Sequence, residues 1–237
     1  MFIEDGDLPS VKRMTDVMSH RGPDADGHWM NGRTVLGHRR LSIIDLSEEA
    51  NQPFLSDDGR YVIVYNGEIY NYKEVNDQLG HRKFRTSSDT ETILHAFNEW
   101  GMDCVHKFKG MFAIAIWDVL QNKLTLIRDR FGVKPLYYSL TDKGLVFASE
   151  VRGILASGLV KRELDESGLY EYLKCQSVGY PFTLIKGVYQ LGAGEFLEFR
   201  DNQVSIQSYW NVFEKQKHEV DDLGVVQKNI RHLLTKS

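Results

Sequence analysis

From Ser10 to His20 the apolar residues Val11, Met14 and Met18 recur at helical spacing behind a Pro-Ser start, which predicts a first helix that ends in "HRGPD". Two β-branched stretches follow, "TVLGHRRLSIIDL" and "YVIVY", bounded by Gly, Asp and Asn, and both read as strands. A short helix is expected from Tyr72 to Leu79, and a longer one from Asp89 to Trp100, with Ser88 and Glu91 in capping-box spacing and Gly101 as the stop. "MFAIAIWDVLQNKLTLIRD" reads as two strands around a turn. The first is apolar at nearly every position, as in a central strand whose two faces are both covered. "LVFASE" is a further strand, "VRGILASG" and "DESGLYEYLK" are helices, and "KGVYQLGAGEFLEFRDNQVSIQSYW" returns to strands with Gly-rich turns. The order is mixed rather than a βαβ alternation. After Trp210, "EKQKHEVDD" is charged and almost free of apolar residues, the composition of a linker; beyond it Leu223, Val226, Ile230 and Leu233 resume helical spacing.

Composition narrows the classes. With 237 residues, 42% apolar and 26% charged, the chain is long enough for one large domain or two small ones. Net charge is −4 and the Lys and Arg residues are dispersed, so neither a nucleic acid nor an anionic membrane is the expected partner. Small soluble ligands are. Cys104 and Cys175, the only two cysteines, suit neither a disulfide framework nor a zinc site, and the expected compartment is the cytoplasm. The longest apolar run, Met111 to Trp117, is far shorter than a bilayer span, and the acidic start is unlike a signal peptide.

The chemistry concentrates in "VYNGEIYNY", Val64 to Tyr72. Asn66-Gly67 has a plain reading as a hairpin turn, because both residues tolerate positive φ. It has a chemical reading as well: an Asn side-chain amide and a Gly backbone N–H can together stabilise an oxyanion. The residues after it look like a loop entering a helix rather than a second strand, and a turn leaves Glu68 unexplained. In "GHRRLSIIDL" two adjacent arginines face opposite sides of a strand, so one must meet a covered face or cleft and find a carboxylate there, from the protein or from a ligand. Asp89 at a helix start either complements the dipole or holds a ligand's ammonium group. Arg, Glu and Asp around an Asn-Gly donor pair would suit an α-amino acid whose side-chain carbonyl is under attack. A nucleophile is the missing part: Cys104 reads as a small core residue sharing a helix face with Phe108, Cys175 has no neighbouring base, and His20 and His38 stand beside arginines and read as structural. Neither a P-loop, HExxH or EF-hand pattern nor a dinucleotide fingerprint occurs.

Seven segments in order, "HRGPD", "GHRRLSIIDL", "YNGEIYNY", "SSDTE", "GMFAIAIWD", "RDRFGVKPLYY" and "FASE", resemble the glutaminase domain of glutamine-dependent asparagine synthetase, over nearly all of Ser10 to Trp210. "RLSIID" resembles that branch more than other class II glutamine amidotransferases. The resemblance implies an α+β fold of the N-terminal nucleophile hydrolase class, a four-layer αββα sandwich with two antiparallel sheets. It further implies hydrolysis of L-glutamine by an N-terminal cysteine thiolate whose own α-amino group serves as base. Carried over by position, Arg40 would bind the α-carboxylate beside the backbone of Leu41, Ser42, Ile43 and Ile44. Glu68 and Asp89 would hold the α-ammonium, and Asn66 with Gly67 would form the oxyanion hole. No metal or cofactor is implied in this domain.

The chain departs from the family at its start, where "MFIEDGDLPS" stands in place of a strand like "MCGIAGF". The expectation is therefore a domain without its first strand or catalytic cysteine, inactive as written, with an unpaired sheet edge that permits a homodimer. Residues 1–210 are expected to be the amidotransferase domain, 211–222 a linker, and 223–237 the first helix of a synthetase domain or subunit that uses ATP and Mg to amidate aspartate. Two alternatives stand beside this reading. One is a non-catalytic glutamine-binding scaffold for a separate synthetase subunit. The other is the amidotransferase half of a relative that serves cell-surface sugar biosynthesis.

Overall fold

The computed structural model describes residues 8–80, 82–213 and 222–236. In chain order the helices are α1 (Leu8–Asp16), α2 (Tyr72–Leu79), α3 (Asp89–Trp100), α4 (Val151–Ala156), α5 (Glu166–Cys175) and α6 (Leu223–Lys236). The strands are β1 (Ala25–Asn31), β2 (Thr34–Arg40), β3 (Phe54–Leu55), β4 (Tyr61–Ile69), β5 (Gly110–Asp118), β6 (Lys123–Arg128), β7 (Tyr137–Thr141), β8 (Gly144–Ala148), β9 (Tyr189–Gln190), β10 (Glu195–Arg200) and β11 (Gln203–Ser208).

Six strands form one antiparallel sheet in the order β11-β10-β6-β5-β4-β3, with β5 in its interior. Both faces of β5 are buried because its alternate side chains serve two cores. Phe112, Ile114 and Ile116 pack with Ile93, Leu94 and Phe97 of α3, whereas Ala113, Ala115 and Trp117 pack with Leu36 of β2 and Leu145 and Phe147 of β8. The second sheet layer consists of two pieces among the described residues, the hairpin β1-β2 and the three strands β8-β7-β9. Its far face carries Val35, Val146 and Ala148, covered by Val11, Met14 and Met18 of α1 and by Ile154 of α4. The layers therefore run α2/α3, six-stranded sheet, second sheet layer, α1/α4: an α+β sandwich in αββα order.

The helix over Asp89–Trp100 has the expected bounds, with Gly101 at φ +56° ending it. Its cap differs from the expected box. Ser88 accepts from Thr90 N, while Glu91 turns away to accept from the backbone N–H groups of Arg85 and Thr86. The first helix stops at Asp16, and Ser19–Arg21 form a separate 3-10 turn. β1 has no period-2 apolar pattern in the sequence and forms by pairing along all of β2. The strand expected over "TVLGHRRLSIIDL" ends at Arg40, and the rest is a loop. Asn66-Gly67 is not a turn: it lies inside β4, paired with Ala113 and Phe112. Expectations for Met1 to Asp7, including the missing first strand and its unpaired edge, and for most of the linker fall outside the described residues. Phe108, fully buried beneath α3, stacks edge-on to Phe112 at 6.1 Å. Phe108→Ala should lower the urea unfolding free energy by about 3–5 kcal/mol.

Candidate functional site: a cavity between the two sheet layers

A cavity of about 470 Å³ opens where β2, β4 and β5 meet the ends of β8 and α3. Of the residues expected at a site, Arg40, Leu41, Ile43, Ile44, Asn66, Gly67, Glu68 and Asp89 all line it. Ser42 does not, and its N–H is taken by the Asp24 carboxylate at 2.8 Å. Asn66 and Glu68 reach the cavity because they continue the face of Val62 and Val64, which points between the sheets.

The outer edge of β4 is the unusual part. β3 is two residues long and its pairing ends at Ile63, so no described strand borders β4 beyond that point. Side chains take over. Gln52 Oε1 accepts from Tyr65 N at 2.6 Å, His38 Nε2 donates to Tyr65 O at 3.0 Å, and Asp89 Oδ2 accepts from Ile69 N at 2.9 Å. Phe112, the register partner of Gly67, directs its own N–H and C=O to Asp129 instead of to β4. Antiparallel alternation therefore turns the Gly67 N–H to the same outer edge as those of Tyr65 and Ile69. No described side chain takes it. Gly is required at that position, because a Cβ would run into the Met111 carbonyl and the Phe112 backbone.

His38 and Arg40 share the inward face of β2, while Arg39 turns out to Asp16 and Thr15 O. Arg40 makes no ion pair among the described residues. Its Nη1 donates to Ser47 O and Asn51 Oδ1 and its Nη2 to Asp45 O, which leaves Nε–H and one Nη2–H of its five donors. Those bonds hold the loop after β2 against the cavity. Asp45 fastens the same loop from the other side, accepting from Ser47 and from Ser87 N and Oγ; these hydrogen bonds hold its carboxyl well below the usual range.

Asp89 starts α3 and is 5% exposed. Burial pushes its pKa up, the N–H of Ile69 and the hydroxyl of Tyr65 pull it back, and the charge of Glu68 raises it again. Glu68 has no hydrogen-bond or ion-pair partner among the described residues. The cavity wall thus carries two carboxylates and an arginine with spare donors, charges complementary to those of an amino-acid zwitterion. His38 is half-buried as a residue, but its Nδ1 is out of solvent contact and unpartnered. Because a carbonyl only accepts, the proton sits on Nε2; burial lowers the pKa to about 4, so the ring is neutral at pH 7.

Neither cysteine lines the cavity. Cys104 is buried on the α3 side, where desolvation pushes its thiol up to about 12, and Cys175 is exposed at the end of α5. Among the described residues no cluster of His, Cys, Asp and Glu could hold a metal ion. The roles of Gln52 and Tyr65 carry no sequence signal: their side-chain bonds and the bond to the Tyr65 carbonyl join residues 13 to 38 apart.

Stacked antiparallel sheets between helical layers, with a cavity at the strand ends, are the fold of the N-terminal nucleophile hydrolase amidotransferases. The glutamine phosphoribosylpyrophosphate amidotransferase of Bacillus subtilis superposes with a TM-score of 0.66 over 88% of this chain and 48% of its own, at 18% identity. An allosteric regulatory enzyme of purine biosynthesis gives 0.57 over 76% and 36%, at 20% identity. The chain belongs to the glutamine amidotransferase domain family, whose model matches residues 2–210. It is 37% identical over 230 residues to asparagine synthetase [glutamine-hydrolyzing] 3 of Bacillus subtilis, covering 94% of this chain and 37% of that protein. It is 38% identical over 209 residues to synthetase 2 of the same organism, covering 85% and 28%. Amidase chry2 of Gibberella zeae is 36% identical over 218 residues, covering 90% and 32%.

Two pH effects follow. Below pH 6.5 the unfolded chain protonates His38 while the folded chain resists until about 4, so folding stability falls across that window by up to about 3 kcal/mol. Urea titrations at stepped pH should show this decline, reduced in His38→Gln. Asp89 has the opposite sign. Its folded pKa is raised, so its ionisation weakens folding as pH rises through that value, and Asp89→Asn should be at least as stable as the native chain at pH 7.

Proposed function

We propose that the cavity binds L-glutamine and that the chain is the amidotransferase part of a glutamine-hydrolysing asparagine synthetase. The observation that carries this reading is an edge donor of β4 that no described side chain takes, Gly67 N–H, next in sequence to Asn66 in a cavity that also holds Arg40, Glu68 and Asp89. The spare donors of Arg40 take the α-carboxylate, the carboxylates of Glu68 and Asp89 take the α-ammonium, and the backbone of Leu41, Ile43 and Ile44 walls the ligand. The side-chain carbonyl oxygen then meets Asn66 Nδ2 and Gly67 N–H, which are placed for the charge that develops there during attack.

In such a reaction an N-terminal cysteine thiolate attacks the carboxamide carbon, ammonia leaves with a proton relayed by the α-amine, and water releases glutamate from the thioester. Neither Cys104 nor Cys175 lines the cavity, so neither is proposed as that thiolate. The same observation favours, as a second reading, a non-catalytic glutamine-binding module for a separate synthetase subunit.

Because the chain spans 37% of the length of its first Bacillus relative, the synthetase chemistry belongs to a further unit. We assign residues 1–210 to the amidotransferase domain, 211–222 to a linker and 223–237 to the first helix of that unit. The outward Leu223, Ile230 and Leu233 of α6 support the last assignment. ATP and Mg would be bound there and not here. A cytoplasmic location accords with these roles; no described helix is long and apolar enough to cross a membrane.

Calorimetric titration with L-glutamine tests the site. Arg40→Ala should weaken binding by about 2–5 kcal/mol. Since Arg40 also holds a loop, Glu68→Gln is the cleaner variant: Glu68 makes no hydrogen bond or ion pair among the described residues and its charge opposes that of Asp89, so binding should weaken without loss of folding stability. Native affinity in both variants would refute the assignment.

A further inference from the structure

The cationic and imidazole side chains that line the cavity are committed to protein partners, with one exception. His20 and Arg21 bond Glu150, His38 bonds Tyr65 O, Arg39 bonds Asp16, and Arg40 bonds the loop carbonyls. The ammonium of Lys134 has neither a hydrogen bond nor an ion pair among the described residues, although the residue is half-buried and lines the cavity.

Its backbone is nonetheless tightly held. Asp129 Oδ2 accepts from Lys134 N at 2.9 Å and Arg128 Nε donates to Lys134 O at 2.8 Å. Asp129 also accepts from the N–H groups of Phe112, Phe131 and Val133, so its carboxylate is saturated and has no capacity left for the lysine ammonium. Through Phe112, the register partner of Gly67, this turn is tied to β5 alongside the Asn66-Gly67 segment. The Asp45 carboxylate is used by Ser47 and Ser87, and Glu68 and Asp89 stand at the ammonium end of the proposed ligand. A cation on the cavity wall with an anchored backbone and no counter-charge among the described residues is free to pair with an anion that enters.

We propose that Lys134 is the counter-ion for negative charge at the distal end of the ligand, so that the cavity recognises L-glutamate, with its γ-carboxylate, as well as L-glutamine. The inference rests on the glutamine-site reading and extends it to the product. Arg40 and the Glu68–Asp89 pair would fix the α-carbon end, and Lys134, which lines the same cavity from the turn after β6, would meet the far end. Substrate presents a neutral carboxamide there, which needs only the Asn66 and Gly67 donors. Product presents a carboxylate, and Lys134 becomes ion-paired for the first time. Lys134 is thus a specificity-determining residue that sets the ratio of product to substrate affinity.

The test is calorimetric titration of the 237-residue chain and of Lys134→Met and Lys134→Arg with L-glutamine and with L-glutamate, at low and high salt. Lys134→Met should weaken glutamate by about tenfold or more and move glutamine by less than about twofold, while Lys134→Arg retains glutamate binding. Added salt should weaken glutamate more than glutamine in the native chain and equally in Lys134→Met. Glutamate binding unchanged in the Met variant overturns the inference, as does parallel weakening of both ligands, which would mark Lys134 as structural. A native chain that binds glutamine but not glutamate also overturns it and leaves the glutamine site standing; one that binds neither overturns both.

Discussion

The outer edge of β4 is where the architecture turns into a site. A sheet edge normally continues into another strand or is blocked against one. Here β3 begins only at Phe54, opposite Ile63, and Gln52, His38 and Asp89, from three different parts of the chain, satisfy the backbone groups that a strand would have paired. Backbone groups buried without partners are costly, so each of these side chains is under strong constraint. The arrangement leaves a gap at Gly67, whose N–H a full-length neighbouring strand would have consumed.

Around that gap the charges are sorted by layer. β2 contributes the arginine, β4 and α3 contribute the carboxylates, and the turn after β6 contributes Lys134. The neutral, low-pKa imidazole of His38 lines the same cavity and supports the edge through Tyr65 O without adding charge. Burial of Asp89 raises its pKa and makes its ionised form unfavourable for folding, the usual signature of a group retained for binding more than for stability.

Elements whose signal is local were legible in the sequence. Asp89–Trp100 carries its own cap and stop, and the doubly covered strand at Met111 to Trp117 shows its burial directly in an unbroken apolar run. The pattern also led to the residues that line the cavity, because Asn66-Gly67-Glu68, Arg40 and Asp89 have side chains whose chemistry stands out against their elements. What stayed hidden depends on contacts distant in sequence. β1 is a strand only because β2 lies beside it, the loop of Leu41 to Ser47 is bent away by the Arg40 and Asp45 bonds, and Gln52 and Tyr65 look ordinary until three segments converge on one edge. Lys134 was invisible for a different reason: its interest lies in an ammonium on the cavity wall that has no partner among the described residues.

One guanidinium group links recognition to mobility. Arg40 grips the carbonyls of Asp45 and Ser47 with part of its donor set, and in the proposed complex the remainder serves the ligand. Occupancy and the ordering of that segment then share a single side chain, and by reciprocity each strengthens the other. A full cavity would be harder to leave than to enter, since escape requires the segment to loosen while its principal tether is still engaged.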